Sequence, residues 1–151
     1  MLNSRQPLLF GGPARDPLLT SAAMAALRIY TGLALALAHG IGKVPPQEGF
    51  VEMVGAMGFP APGFFGWMAG VAEFFGGLLL ALGLLTRPAA LLVLLNMFVV
   101  VFVFHIGFQG DPFGDYELGL FFLFAALVFL VRGSGPVSVD ALIRRRGARG
   151  G

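Results

Sequence analysis

The sequence predicts an all-α integral membrane protein: a four-transmembrane-helix bundle with both termini cytoplasmic. Three observations predict it. Of 151 residues, 57% are hydrophobic and 12% charged, against about 25% charged in a soluble domain, and the mean hydropathy is +0.85. Four separate stretches reach or approach the roughly 20 apolar residues that cross a bilayer. The charges between them sort by side, as topology signals do.

The first span covers residues 21–41, behind an N-terminal tail of residues 1–20. "ALALAHG" offers a small-x-small cleavage site, but Arg28 interrupts the apolar run and the basic flank is sparse, so the span is read as retained rather than removed. The second span covers 64–85 and the third 88–107, separated by Thr86-Arg87-Pro88; proline is tolerated where a helix begins, because its missing N–H would be an orphan there. "GFQGDPFGD" then turns the chain into a fourth span at 116–131, which closes the transmembrane domain of residues 21–132. Residues 133–151 form a basic tail. None of the runs alternates apolar with polar residues, which a lipid-facing barrel strand requires.

Between the first two spans, Phe50, Met53, Val54 and Met57 recur at helical spacing and predict a short interfacial helix over residues 49–57, bracketed by prolines. Arg5, Arg15, Arg87, Arg132 and the arginines of the tail fall on one side. Glu48, Glu52, Asp111 and Asp115 fall on the other, with Lys43 their only basic neighbour. Positive residues stay inside, which gives cytoplasmic termini and outward hairpins in a bacterial or archaeal cell (inner) membrane. The basic tail reads as a topology signal that meets anionic lipid head groups, not as a nucleic-acid surface. With no cysteine, thiol redox chemistry and thiolate–metal sites are excluded.

Glu73 lies inside the second apolar run, where an ionised carboxylate costs about 2.5–3.5 kcal/mol on insertion scales. Its helix face also carries Gly66, Ala69, Gly70, Gly76 and Gly77, small residues that suit a helix–helix seam. Glu73 is therefore expected to point into the bundle. In the first span Arg28, Gly32, Leu35 and His39 share a stripe about 60° wide, with Lys43 just off its edge. Counting about 1.5 Å per residue brings Arg28 and Glu73 within about 6 Å in depth and predicts that they pair. His39, Lys43, His105 and Glu117 lie near outer helix ends. Asn96, about 180° from His105 around the third helix, is expected to bond a neighbouring helix and not to share one narrow site with that histidine. The phenylalanines of "LGLFFLFAALVFL" read as core or lipid-facing surface.

An arginine-bearing first span ending in "HGIGK", then "AEFFGGLLLALGLLTRPAALLV", a histidine closing the third span, a glutamate opening the fourth and a terminal "GSGPVSVD" together resemble the DoxX family of small four-helix membrane proteins. The resemblance covers residues 25–140, and 72–87 are its most specific part. It departs at Val137, where the family often has an aromatic residue. The resemblance implies a redox setting, since namesake relatives are subunits associated with quinol oxidation and thiosulfate:quinone oxidoreduction.

Combined with the polar residues, this points to a redox-associated subunit, not an autonomous enzyme. It is expected to bind a quinone or similar lipophilic ligand near the outer leaflet, through a path of Arg28, His39, Lys43, Glu73, His105 and Glu117. No covalent cofactor is expected. Electrons would come from a bound quinone or a redox partner protein, and a homo-oligomer is compatible with the sequence. Two alternatives stand beside it. One is a scaffold whose Arg28–Glu73 pair only fixes helix packing; the other is a small proton or solute transporter, which the lack of inverted repeats disfavours. A metal or haem site is disfavoured because the Glu-x-x-His pairs of di-metal bundles are missing.

Overall fold

The computed structural model describes residues 17–148. Arg5, Arg15, Arg149 and most of the predicted N-terminal tail lie outside the described residues. Four helices are long and apolar enough to cross a membrane: α1 (Pro17–Lys43), α3 (Pro62–Leu82), α4 (Thr86–Gln109) and α5 (Phe113–Arg132). Three contain their predicted spans, and α3 ends at Leu82, three residues short of the predicted end of the second. A short helix α2 (Glu48–Ala56) occupies the first long connection, as the helical spacing of its apolar residues predicts. The last helix, α6 (Val139–Gly147), was not anticipated. No strand occurs among the described residues.

The connections use local chemistry. Gly83, at φ +66°, ends α3. There Gly83 N–H donates to Leu80 O and Leu84 N–H to Leu79 O at 3.1 and 3.0 Å, the paired bonds of a Schellman turn. Pro62 stands in the first turn of α3, where it removes no intrahelical bond. Ser138 caps α6 by accepting from Ala141 N–H at 3.1 Å, which contributes about 1 kcal/mol.

Glycine brings α1 against α3. A Cβ on Gly77 would stand 2.7 Å from Gly32 O, and one on Gly32 would strike the backbone of Gly77 and Ala81. Gly40 likewise abuts the backbone of Phe74, and Gly70 abuts Lys43 O. Of the seam predicted on the Glu73 face, Gly70 and Gly77 meet α1, while Gly76 meets Val93 of α4 and Gly66 meets Pro46, Phe50 and Val51; the α1–α3 contacts fix an antiparallel register. In that register Gly40 lies level with Glu73 and Phe74, while Arg28 lies level with the turn after Leu82. The rest of the interior is apolar. Leu35, Val93, Met97, Phe122, Leu123 and Ala126 form one cluster, and Leu80, Ala90, Ala125 and Phe129 a second. Outward-facing Leu37, Phe75, Leu91 and Phe124 are exposed, as lipid-facing side chains of a span should be.

Three stretches of these helices are wound more widely than an α-helix: Leu35–Gly40 in α1, Val71–Phe75 in α3 and Val99–Gln109 in α4. Such i→i+5 turns are rare and concentrate at functional sites. Here His39, Glu73 and His105 each sit in one of them.

Candidate functional site

The three wide turns surround a cavity of about 500 Å³ between the upper halves of α1, α3, α4 and α5. Small-molecule sites typically span about 300–1,000 Å³. Phe50, Met53 and Val54 of α2 help to close it, with Phe65, Met68, Phe104 and Phe122 among its other apolar walls. Its polar lining is confined to His39, Lys43, Glu73, Asn96, His105 and Asp115.

Glu73 is the anchor of that polar set. It is 1% exposed, and it accepts from Lys43 Nζ at Oε1 and Oε2, at 2.7 and 2.6 Å. Asn96 Nδ2 donates to Oε1 at 3.0 Å. A carboxylate buried this deeply is tolerable only when paired and hydrogen-bonded, and three hydrogen bonds from two donor groups on two helices supply both. The ammonium also sits 5.3 Å from the centre of the Phe50 ring, close enough for a cation–π attraction. Lys43 Nζ has three hydrogens; Glu73 engages it through both carboxylate oxygens.

The two histidines are held differently. His39 packs its ring edge-on against Phe122, with centroids 5.6 Å apart. His105 Nδ1 lies 2.7 Å from Asp111 Oδ2. When Nδ1–H donates to that carboxylate, Nε2 is left as an acceptor.

Of the predicted set, His39, Lys43, Glu73 and His105 therefore line one cavity, while Arg28 and Glu117 do not. Glu117 is exposed on α5. The predicted approach of Arg28 to Glu73 is overturned. The α1–α3 register separates their levels by 12 residues of α1, about 18 Å of helix rise. Depth counting failed because it set the helix ends flush, whereas α3 projects past the end of α1 beneath α2. The expected separation of Asn96 from His105 is also corrected, since both line the cavity. The wide winding of Val99–Gln109 turns the helix by less than about 100° per residue, which brings His105 round. The expectation that Asn96 bonds a neighbouring helix holds.

Arg28 has another task at the opposite end. Only 2% exposed, it donates through Nη1 to Leu80 O and Ala81 O at 2.6 and 2.7 Å, and through Nη2 to Val137 O at 2.8 Å. It thereby ties the end of α3 to the segment before α6. Asp140 completes the clasp by accepting from Leu85 N–H, Thr86 N–H and Thr86 Oγ1–H at 2.9, 3.1 and 2.8 Å. Burial alone would raise the Asp140 pKa, but these hydrogen bonds and the nearby Arg144 outweigh it and hold the carboxyl below its ordinary value. "TRP" and "SVD" are therefore two halves of one structural lock. Ser138 followed by an acidic residue at the start of α6 is a helix-start signal that sequence reading could have used.

Four membrane-crossing helices that enclose an apolar cavity with a buried ion pair in its lining define a small multi-pass membrane protein. The comparisons agree: the DoxX profile matches residues 23–106. The chain belongs to the DoxX family. It is 30% identical over 119 residues to the Bacillus subtilis (strain 168) protein named "Putative oxidoreductase CatD", covering 78% of this chain and 84% of that one. It is also 30% identical over 113 residues to "Inner membrane protein YqjF" of Escherichia coli (strain K12), covering 74% and 85%. No solved structure matches.

Proposed function

We propose that this protein is a membrane subunit of a redox-associated complex, and that its cavity binds a quinone or similar lipophilic carbonyl compound. The observation that carries this reading is the hydrogen-bonded grouping of Lys43, Glu73 and Asn96 in a cavity whose other walls are apolar apart from His39, His105 and Asp115. A quinone ring needs apolar walls, a donor at each carbonyl and a proton source. Phenylalanines and methionines offer the first. Lys43 and Asn96 each have more than one N–H, and the histidines provide further polar contacts and ring nitrogens that can accept or donate. The relative named as an oxidoreductase is consistent with such chemistry. The chain has no cysteine, so electrons reach the ligand from a partner protein. The charge distribution supports an orientation with the cavity towards the outer face of the membrane.

The test uses purified full-length protein in mild detergent. Solvent extraction followed by chromatography should recover a quinone, and a short-chain quinone analogue should raise the unfolding temperature. Lys43→Met should weaken that response by about tenfold in analogue concentration, the cost of one charge-assisted hydrogen bond. Protein that carries no quinone and does not respond to the analogue overturns the reading.

A further inference from the structure

A second cavity, of about 470 Å³, opens at the far end of the bundle, where α4 begins and α5 ends. Arg87, Arg132 and Arg144 line it, together with the turn Gly133–Ser134–Gly135. From these positions we infer that it is a binding site for the phosphate head group of an anionic phospholipid. The inference is independent of the cavity around Glu73.

Charge comes first. Three guanidinium groups face one carboxylate, Asp140, in the lining, and that carboxylate is already taken by three donors from Leu85 and Thr86. None of the three arginines has a carboxylate within ion-pair distance among the described residues. Planar guanidinium forks match phosphate oxygens. Gly133, at φ +79°, keeps the turn without a side chain where Arg87 Nε passes; a Cβ there would lie 3.8 Å from that nitrogen.

Depth and the apolar rim select a lipid over a free phosphate. The site lies where two spanning helices leave the apolar layer, the level of lipid head groups. Leu85 in its lining is 58% exposed and Val131 beside it 71%, so apolar surface adjoins the arginines where an acyl chain would descend. Helix α6 continues this surface with exposed Leu142 and Ile143 beside Arg144, the pattern of a helix lying in the interface.

The experiment incorporates the full chain into vesicles of equal phosphatidylglycerol and phosphatidylcholine, then identifies lipids retained after mild extraction by native mass spectrometry. The wild type should retain phosphatidylglycerol selectively. Arg87→Gln/Arg132→Gln/Arg144→Gln should lose that selectivity by about fivefold per arginine. Arg145→Gln/Arg146→Gln removes two neighbouring charges outside the lining and should leave it intact. Arg144→Gln alone, on α6 outside the bundle, keeps the test open should the triple variant not fold, and its selectivity should fall by about fivefold. Equal retention of both lipids, or equal loss in the Arg145/Arg146 variant, overturns the proposal. Displacement of the lipid by millimolar inorganic phosphate would reassign the site to a soluble anion and overturn it too.

Discussion

The Lys43–Glu73 pair makes a prediction whose asymmetry follows from burial. The Glu73 side chain is 2% exposed and that of Lys43 27%, so the two halves of the pair cost different amounts to remove. Lys43→Met keeps the stem and deletes the charge, leaving a buried carboxylate with Asn96 Nδ2 as its remaining hydrogen-bond donor. Breaking a buried pair from one side in this way costs about 3–5 kcal/mol. Glu73→Gln leaves the ammonium unpaired instead, but that group is the more exposed of the two and retains Phe50; its cost is about 1–2 kcal/mol. The double variant buries no charge and should return close to the Glu73→Gln value, so the coupling equals the whole Lys43→Met cost, about 3–5 kcal/mol. Helical circular dichroism during reversible unfolding in mixed detergent–SDS micelles measures all three. Single costs that simply add, or a Glu73→Gln variant less stable than Lys43→Met, would refute the reasoning.

Three further outcomes are expected. Gly32→Ala should lose at least about 3 kcal/mol or fail to assemble, because its Cβ meets backbone of Gly77 and Ala81, whereas Gly49→Ala, with nothing within 4 Å, should be tolerated; unfolding in the same micelles compares them. The depressed Asp140 pKa means its contribution is fully present above the ordinary carboxyl value of 3.8 and is lost as pH falls through the lower native one. Asp140→Asn should therefore flatten the acid limb of a stability–pH profile below about pH 4, and an unchanged limb would contradict the clasp. Since the chain has no native cysteine, single cysteines report topology. Gln47→Cys should react with an impermeant maleimide on intact cells and Arg145→Cys only after permeabilisation, and the reverse pattern would invert the orientation.

Much of the architecture was legible because lipid is an undemanding solvent to read: apolar length marks the spans, and a carboxylate among glycines must face inward. Glu73 was found this way, as was the helix carrying Phe50 and Met53. Its partner was not, because lateral register depends on which glycines abut which backbone. Gly40 against Phe74 and Gly70 against Lys43 O bring the Lys43 end of α1 down to Glu73 and leave Arg28 near Leu80. The wide turns were equally silent, since no residue type announces an i→i+5 bond. Arg28 looked like half of an intramembrane pair, when its hydrogen bonds go to the Leu80 and Ala81 carbonyls at the end of α3 and to the Val137 carbonyl before α6.

The wide turns also bear on how this chain can change length. A turn closed by i→i+5 bonds holds one more residue than the α turn it replaces, so each of these helices carries, in effect, an insertion absorbed without breaking. Were Val99–Gln109 wound as an ordinary α-helix at unchanged length, everything beyond it would swing by about 100°. His105 would leave the cavity while the hydropathy of the span stayed the same. Spacing within the spans is therefore under a constraint that membrane thickness does not impose, and single-residue gaps in aligned relatives carry information where substitutions between leucine and valine carry little.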